Sequence, residues 1–492
     1  MQATTVTPPV APPCRTVAAP APGPHRDRPP HVRAGRARMA AGIVLMAALA
    51  GCGPSRAART AQGLYDRGDY AGAAAAADQA LPDRPGDLGL WRVRLRTELA
   101  RGDAAALAAL YARYQASLGE DDGDLLVDLA SATLRQGLSS NAVPVRLAAI
   151  RAIETLELEA LGDAVIEQMG SDDDRVAAAA AVAVMHGHPQ APKMAESMLD
   201  SPDPEARAIA VDGIGRKVGR LAADDLIVAS RDRDPRVRAA AVRALAALRD
   251  DASAAAVLAR VTDPSGEVRV AALAAASQRR LGDTSALASA ALADRALPVR
   301  LAGVALLRRA GARERLLALR GEADRLVALQ AAAAVGVDAG NEPTLAAALA
   351  DPEPVVRASA VGLAEALVGR ATALPHLRVA VADAELGVRL AAARALQYAG
   401  EGAAAAPVLT EALAAPAHQL GAAADLARLG DARGLELLST TLLTDADTRR
   451  RDAAVLQHAI ARRVTPGLVA ALADRTGGVR VAAAALLVEL TR

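Results

Sequence analysis

The chain has 492 residues, 52% apolar and 23% charged, yet it holds no Phe, one Trp and five Tyr. Alanine supplies most of the apolar mass, and as the best intrinsic helix former with a small side chain it suits closely spaced helices better than a sandwich or barrel. Residues 1–38 carry six Arg and one Asp; taking them from the 57 basic and 56 acidic residues leaves 51 against 55, which offers no electrostatic footprint for nucleic acid. Two cysteines, Cys14 and Cys52, are too few for a cysteine-built metal or redox site.

The N-terminus has the order of an address. Basic Arg33, Arg36 and Arg38 precede Met39 to Ala50, an uninterrupted run of twelve apolar or small residues. That run is too short to cross a bilayer of about 30 Å and fits the apolar region of a secretory signal. The next residues, Leu49-Ala50-Gly51-Cys52, resemble the lipobox of bacterial lipoproteins. The resemblance implies diacylglyceryl transfer to the Cys52 thiol, cleavage before it and acylation of the new amino group, and two or more chains anchor stably where one is marginal. Gly53 rather than Asp after the Cys favours, by the same resemblance, outer-membrane sorting. Residues 1–31, rich in Pro, Ala and Thr, belong either to a long n-region or to sequence before a later start at Val32 or Met39. Segment 1–51 is expected to be absent from the mature protein.

Residues 52–138 are expected to form a small helical module. Tyr65, Gly68, Asp69, Tyr70, Ala73, Ala80, Leu81 and Pro85 stand at a spacing that resembles one tetratricopeptide repeat. Leu99, Gly102 and Asp103 begin a degenerate copy, followed by Tyr111 and Tyr114. Aromatics at helical spacing, Trp91 included, point to core packing ahead of a peptide groove. A further helix at about 124–137 joins this module to a long C-terminal arm.

From 139 to 492 one pattern repeats: Asp-x4-Val-Arg-x-Ala-Ala-x2-Ala-Leu. Its anchor recurs at Val145, Val176, Ala206, Val237, Val268, Val299, Leu329, Val356, Val388, Leu420, Arg450 and Val479, at intervals of 27 to 32 residues. In the fourth copy Val237, Ala240, Ala241, Ala244, Leu245 and Leu248 fall on one helical face, and a Leu seven residues before most anchors belongs to the preceding helix. Each unit is therefore a helical hairpin. Five residues before the anchor stands Asp in eight copies and Ser in three, with Ala415 the exception, as expected of a cap at a turn or helix start. One residue after the anchor stands Arg in nine copies. The pattern resembles HEAT repeats, in particular those related to phycobilisome-lyase proteins, which implies an Asp–Arg ladder between neighbouring units. Units with Ala177, Gln330 and Gly421 in place of the Arg, and the 27-residue interval from Leu329 to Val356, are expected to bend or soften the array.

Chemistry is sparse. None of the seven His is followed by Glu, as a di-iron site on this scaffold requires, and the arm holds one aromatic, Tyr398, and no Cys. His186-Gly187-His188 is the only close His pair and lacks an evident third ligand. Five residues after the anchor stand Ile150, Val211, Val242, Leu273, Val304, Val361 and Val455, to be core or groove; six after it come Arg151, Arg243 and Arg394. A concave face bearing those arginines suits a partner helix or extended segment with carboxylates, and Tyr398 joins them as a candidate contact. The last inner helix, with Leu486, Leu487, Val488 and Leu490, has no polar capping unit after it, so this end is expected to dock a partner or a second copy.

The sequence thus predicts an all-α protein, a right-handed superhelix of about twelve HEAT-like hairpins preceded by tetratricopeptide-like helices. The expected function is a lipid-anchored, non-enzymatic protein-interaction scaffold of the bacterial envelope, with Cys52 as the lipidation site. No catalytic residue, metal or cofactor is expected, and neither nucleic acid nor a small-molecule substrate. The alternatives are a lyase or isomerase on the same scaffold, and a cytoplasmic regulatory HEAT protein with a misassigned N-terminus.

Overall fold

The structure, a computed structural model, describes residues 55–119 and 121–492. Cys52 and the preceding signal-like segment lie outside them. The described residues contain helices and no strand. Helices α1 (Arg56–Asp66), α2 (Tyr70–Ala80), α3 (Leu88–Arg101) and α4 (Ala104–Leu118) pack in succession. Asp69, Asp87 and Asp103 each accept a backbone N–H at their helix starts, and Gly102 and Gly119 end α3 and α4 in the left-handed conformation. Trp91 and Tyr111 bracket Tyr114, with ring centroids 5.8 and 5.4 Å from it, and all three are buried. These aromatics are therefore core.

Twelve hairpins come next, each an outer helix and an inner one. They are α5 (Gly123–Leu138) with α6 (Val143–Thr155), α7 (Gly162–Glu167) with α8 (Asp174–Ala183), α9 (Ala191–Ser197) with α10 (Pro204–Lys217), and α11 (Ala223–Ala229) with α12 (Pro235–Leu245). The middle four are α13 (Asp251–Leu258) with α14 (Gly266–Arg279), α15 (Thr284–Leu292) with α16 (Leu297–Arg309), α17 (Arg313–Ala318) with α18 (Arg325–Val335), and α19 (Glu342–Leu349) with α20 (Pro354–Val368). The last four are α21 (Arg370–Ala380) with α22 (Leu386–Tyr398), α23 (Gly402–Ala412) with α24 (Gln419–Arg428), α25 (Ala432–Thr444) with α26 (Thr448–Ala461), and α27 (Pro466–Ala470) with α28 (Gly477–Thr491). The anchors Val237, Val268 and Val299 occupy equivalent buried places on α12, α14 and α16, each at most 1% exposed. Burying such a side chain is worth about 1.5–3 kcal/mol. The seven residues from Ile150 to Val455 that stand five places past their anchors are all buried as well, so they are core and not groove.

The repeated Asp and Arg form the ladder that the resemblance implied. Arg207 reaches Asp232 in a two-pronged contact at 2.8 and 2.9 Å, and Arg238 with Asp263, Arg269 with Asp294 and Arg357 with Asp383 repeat it. The third nitrogen of each guanidinium donates to the carbonyl of its own unit's turn, as Arg238 does to Asp232 at 3.0 Å. One Arg thus ties its own turn to the next, using the fork geometry that Lys lacks. The Asp also accepts the backbone N–H two residues on, Asp232 from Asp234 at 2.7 Å. It closes the turn, and in most units the helix cap proper is the residue two places later, such as Asp203 or Asp234.

Units without the Arg are patched rather than soft, which corrects part of the expectation. Beside Gln330 the next Asp, Asp351, is met by Arg325 at 3.3 Å; beside Gly421, Asp445 is met by Arg450, the charged anchor, at 2.7 Å. The shortened interval is stapled by Asn341, fully buried, whose amide donates to the carbonyls of Ala332, Gly336 and Leu367. The alanines of α8 let Glu154 of α6 pass over it to Arg216 and Lys217 of α10, at 3.2 and 3.1 Å.

The twelfth hairpin meets the first. Helix α28 lies along α5 and also packs on α6, while the short α27 is covered by α4. Gly137 and Gly477 permit the approach: a β-carbon on Gly137 would stand 2.8 Å from Val481, and one on Gly477 would stand 2.9 Å from Val145. Val479, Leu487 and Val488 are fully buried, in one hydrophobic core with Leu126, Leu134 and Ile150. Arg492 donates to the carbonyl of Leu156. The array is a closed circuit, and its last helix docks on the chain's own first hairpin, not on a partner or second copy as expected.

Candidate functional site

The even-numbered helices from α6 to α28 line the inside of this circuit. On α6 to α16 a stripe of positions, one before the anchor and two, three, six or ten after it, faces two adjoining cavities. The spacing is the helical repeat, so a face roughly 100° round the helix from the anchors turns inward. The first cavity, about 380 Å³, collects Arg151, Glu154, Glu205, Asp212, Arg216, Arg236, Arg243 and Glu267 from α6, α10, α12 and α14, with Ala179 and Val182 of α8 between them. The second, about 720 Å³, is a trough floored by Val270, Ala271, Ala274 and Ala275 of α14, with Ala246 on one wall and Pro298 on the other. Arg243 and Glu267 line both.

The charges in the first cavity are not equivalent. Arg216 pairs with Asp212 at 3.0 Å and with Glu154, and although burial opposes its charge these partners raise its pKa. Arg236 is held by Asp234 at 3.0 Å, the pair placing the Asp234 carboxyl at about 2. Glu205 lies 3.5 Å from Arg175. Glu267 sits in the first turn of α14, where the helix dipole favours it. Arg151 and Arg243 are exposed and make no ion pair or hydrogen bond with the described residues.

Of the four residues singled out in sequence, Arg151 and Arg243 thus converge on one cavity. Arg394 does not join them: it is bound at 2.6 Å to the buried Asp425 of the next hairpin, so it serves the stack. Tyr398 is 67% exposed, with Arg428 over its ring at 5.2 Å and donating to its hydroxyl at 2.7 Å. Sequence reasoning missed the trough, although small residues at matching positions of α14 were its signal. His186 lines a separate cavity of about 1100 Å³ at the hairpin ends, and among the described residues no cluster of His, Cys, Asp or Glu has the grouping of a metal site.

Comparison places residues 191–278, which include α10, α12 and α14, in the family described as HEAT repeats. That segment carries HEAT repeats. Among curated proteins no sequence matches it. Solved structures similar to it include YibA of Escherichia coli, at 16% identity and a TM-score of 0.36 over 50% of this chain and 96% of that one. The complex of CpcE and CpcF of phycocyanin lyase from Nostoc sp. is similar at 22% identity and 0.25, over 52% and 96%; importin beta at 15% and 0.32, over 87% and 75%. The repeated Asp and Arg are taken up by the ladder.

Proposed function

We propose that the protein is a non-enzymatic interaction scaffold whose HEAT ring recruits a protein partner on its inner face. A lipid on Cys52 tethers it to the cell envelope, with the outer membrane favoured, facing the periplasm or the surface. The observation that carries the reading is the division of labour among arginines. Those at the ladder position are tied to the stack, whereas Arg151 and Arg243 on the inner stripe have no partner, and Arg243 borders an open apolar trough. Across the ring, the same stripe exposes Val355, Leu456 and Ile460 on hairpins eight and eleven. No helix among the described residues is long and apolar enough to cross a membrane.

Two experiments test this. Fractionation compares the native chain with Cys52→Ala, which is expected to leave the membrane without losing its helical circular dichroism; retention in the membrane counts against the anchor. Photo-crosslinkers at inner positions Ala274 and Leu456 and at outer Val228 are expected to yield protein adducts from the inner positions only. Adducts from Val228 alone contradict the scaffold.

A further inference from the structure

Resting on the scaffold reading, we infer that the inner face of hairpins one to six binds an amphipathic helix of the partner, apolar on one face and carrying carboxylates beside it. The apolar face lies on Val270, Ala271 and Ala274, and the carboxylates meet Arg243 and Arg151.

The shape of the site selects a helix. The trough runs along the surface of α14, and its floor is mostly Ala, so a second helix can approach as closely as small side chains permit. The second cation is within reach. Arg151 on α6 and Arg243 on α12 are three hairpins apart, yet both line the one 380 Å³ cavity, with alanine-rich α8 between them. Charge selects the sign. Each remaining cation of that cavity already has a carboxylate within 3.2 Å, while Arg151 and Arg243 have none. A carboxylate that arrives from outside gains a charge-assisted contact without breaking one. A basic segment would instead find one unpaired carboxylate, Glu267, against two unpaired arginines, with Glu154 and Asp212 already held by Arg216. The apolar trough shares Arg243, so one ligand spanning both cavities sets its carboxylates directly beside its apolar face.

The test uses the full chain in detergent and three fluorescein-labelled helical peptides of four turns. The first has an Ala/Leu face bordered by Glu, the second replaces Glu by Lys, and the third keeps the first composition but disperses the apolar face. Anisotropy is expected to show binding of the first peptide alone. Arg243→Glu and Arg151→Glu each weaken it about tenfold and improve the Lys peptide, while Val228→Glu, on the outer helix α11, changes neither more than about twofold. Both arginines are exposed and unpaired, so unchanged thermal melting of the variants separates lost binding from lost folding. The inference is overturned if the Glu peptide fails to bind at roughly 0.1 mM, if the Lys or dispersed peptide binds as well, or if both Arg variants bind it unchanged. Crosslinks from Leu456 with none from Ala274 would sink this site and leave the scaffold standing; silence at both would sink the scaffold.

Discussion

Gly477 and Val145 open the last inner helix and the first, and they touch: a β-carbon at 477 would lie 2.9 Å from Cγ2 of Val145. This contact, with Gly137 against Val481, is where the helical array becomes a ring. Adding bulk there is expected to pry the seam apart. Gly137→Val or Gly477→Val should cost about 1–3 kcal/mol by overpacking and enlarge the radius of gyration in small-angle scattering. The same change at Gly362, where nothing stands within 4 Å of a β-carbon, should leave the radius unaltered.

The ladder makes a graded prediction. Asp263 is 1% exposed at its side chain and Arg238 11%; Arg238→Ala strands that carboxylate in the protein and should cost about 3 kcal/mol in urea unfolding. Arg236 with Asp234 is 55% exposed on the Arg side, and Arg236→Ala should cost less than about 1 kcal/mol. Equal losses would mean that the ladder does not bear the stack.

Acid should weaken the ring through the same carboxylates. The hydrogen bonds from Arg269 hold Asp294 below its ordinary value, and those from Arg357 do so for Asp383. A depressed carboxyl contributes stability above its unfolded pKa of about 3.9 and loses it as pH falls through the folded value. Thermal midpoints are therefore expected to drop steeply below pH 4, and Arg269→Met should flatten that drop.

His458 acts in a different window. It is fully buried, with Nδ1 2.8 Å from the carbonyl of Ala454, so that nitrogen donates and Nε2 accepts from Thr465 at 3.0 Å. Burial lowers its pKa from 6.5. The unfolded chain takes up a proton below pH 6.5 and the folded chain does not, so stability declines from that pH downward until the folded value is reached. His458→Gln should remove the decline between pH 6.5 and 5 at a modest cost in stability at neutral pH. A slope unchanged by the substitution would assign it elsewhere.

The hairpins were legible in sequence because Asp, the small-residue stripe and Arg carry out local work at fixed offsets from each anchor. Closure was not, because it arises from the summed rotation of twelve units, and no single residue encodes a sum. Its only local traces were Gly137, Gly477 and the apolar end of α28, and the last suggested a foreign partner instead. The site was half legible. Arg151 and Arg243 stand where the helical period puts them, but the fate of Arg394 depends on Asp425, a residue of the next hairpin. Partners across a stack cannot be told from period alone.

The most direct test of the ring is a distance across its seam. Spin labels at exposed Thr155 and Glu489, in a chain lacking Cys14 and Cys52, are expected to give one narrow distribution below about 40 Å by double electron–electron resonance, as for neighbouring packed helices. A broad distribution centred beyond about 60 Å, as in an open arm of twelve hairpins spaced about 9–10 Å apart, would contradict it.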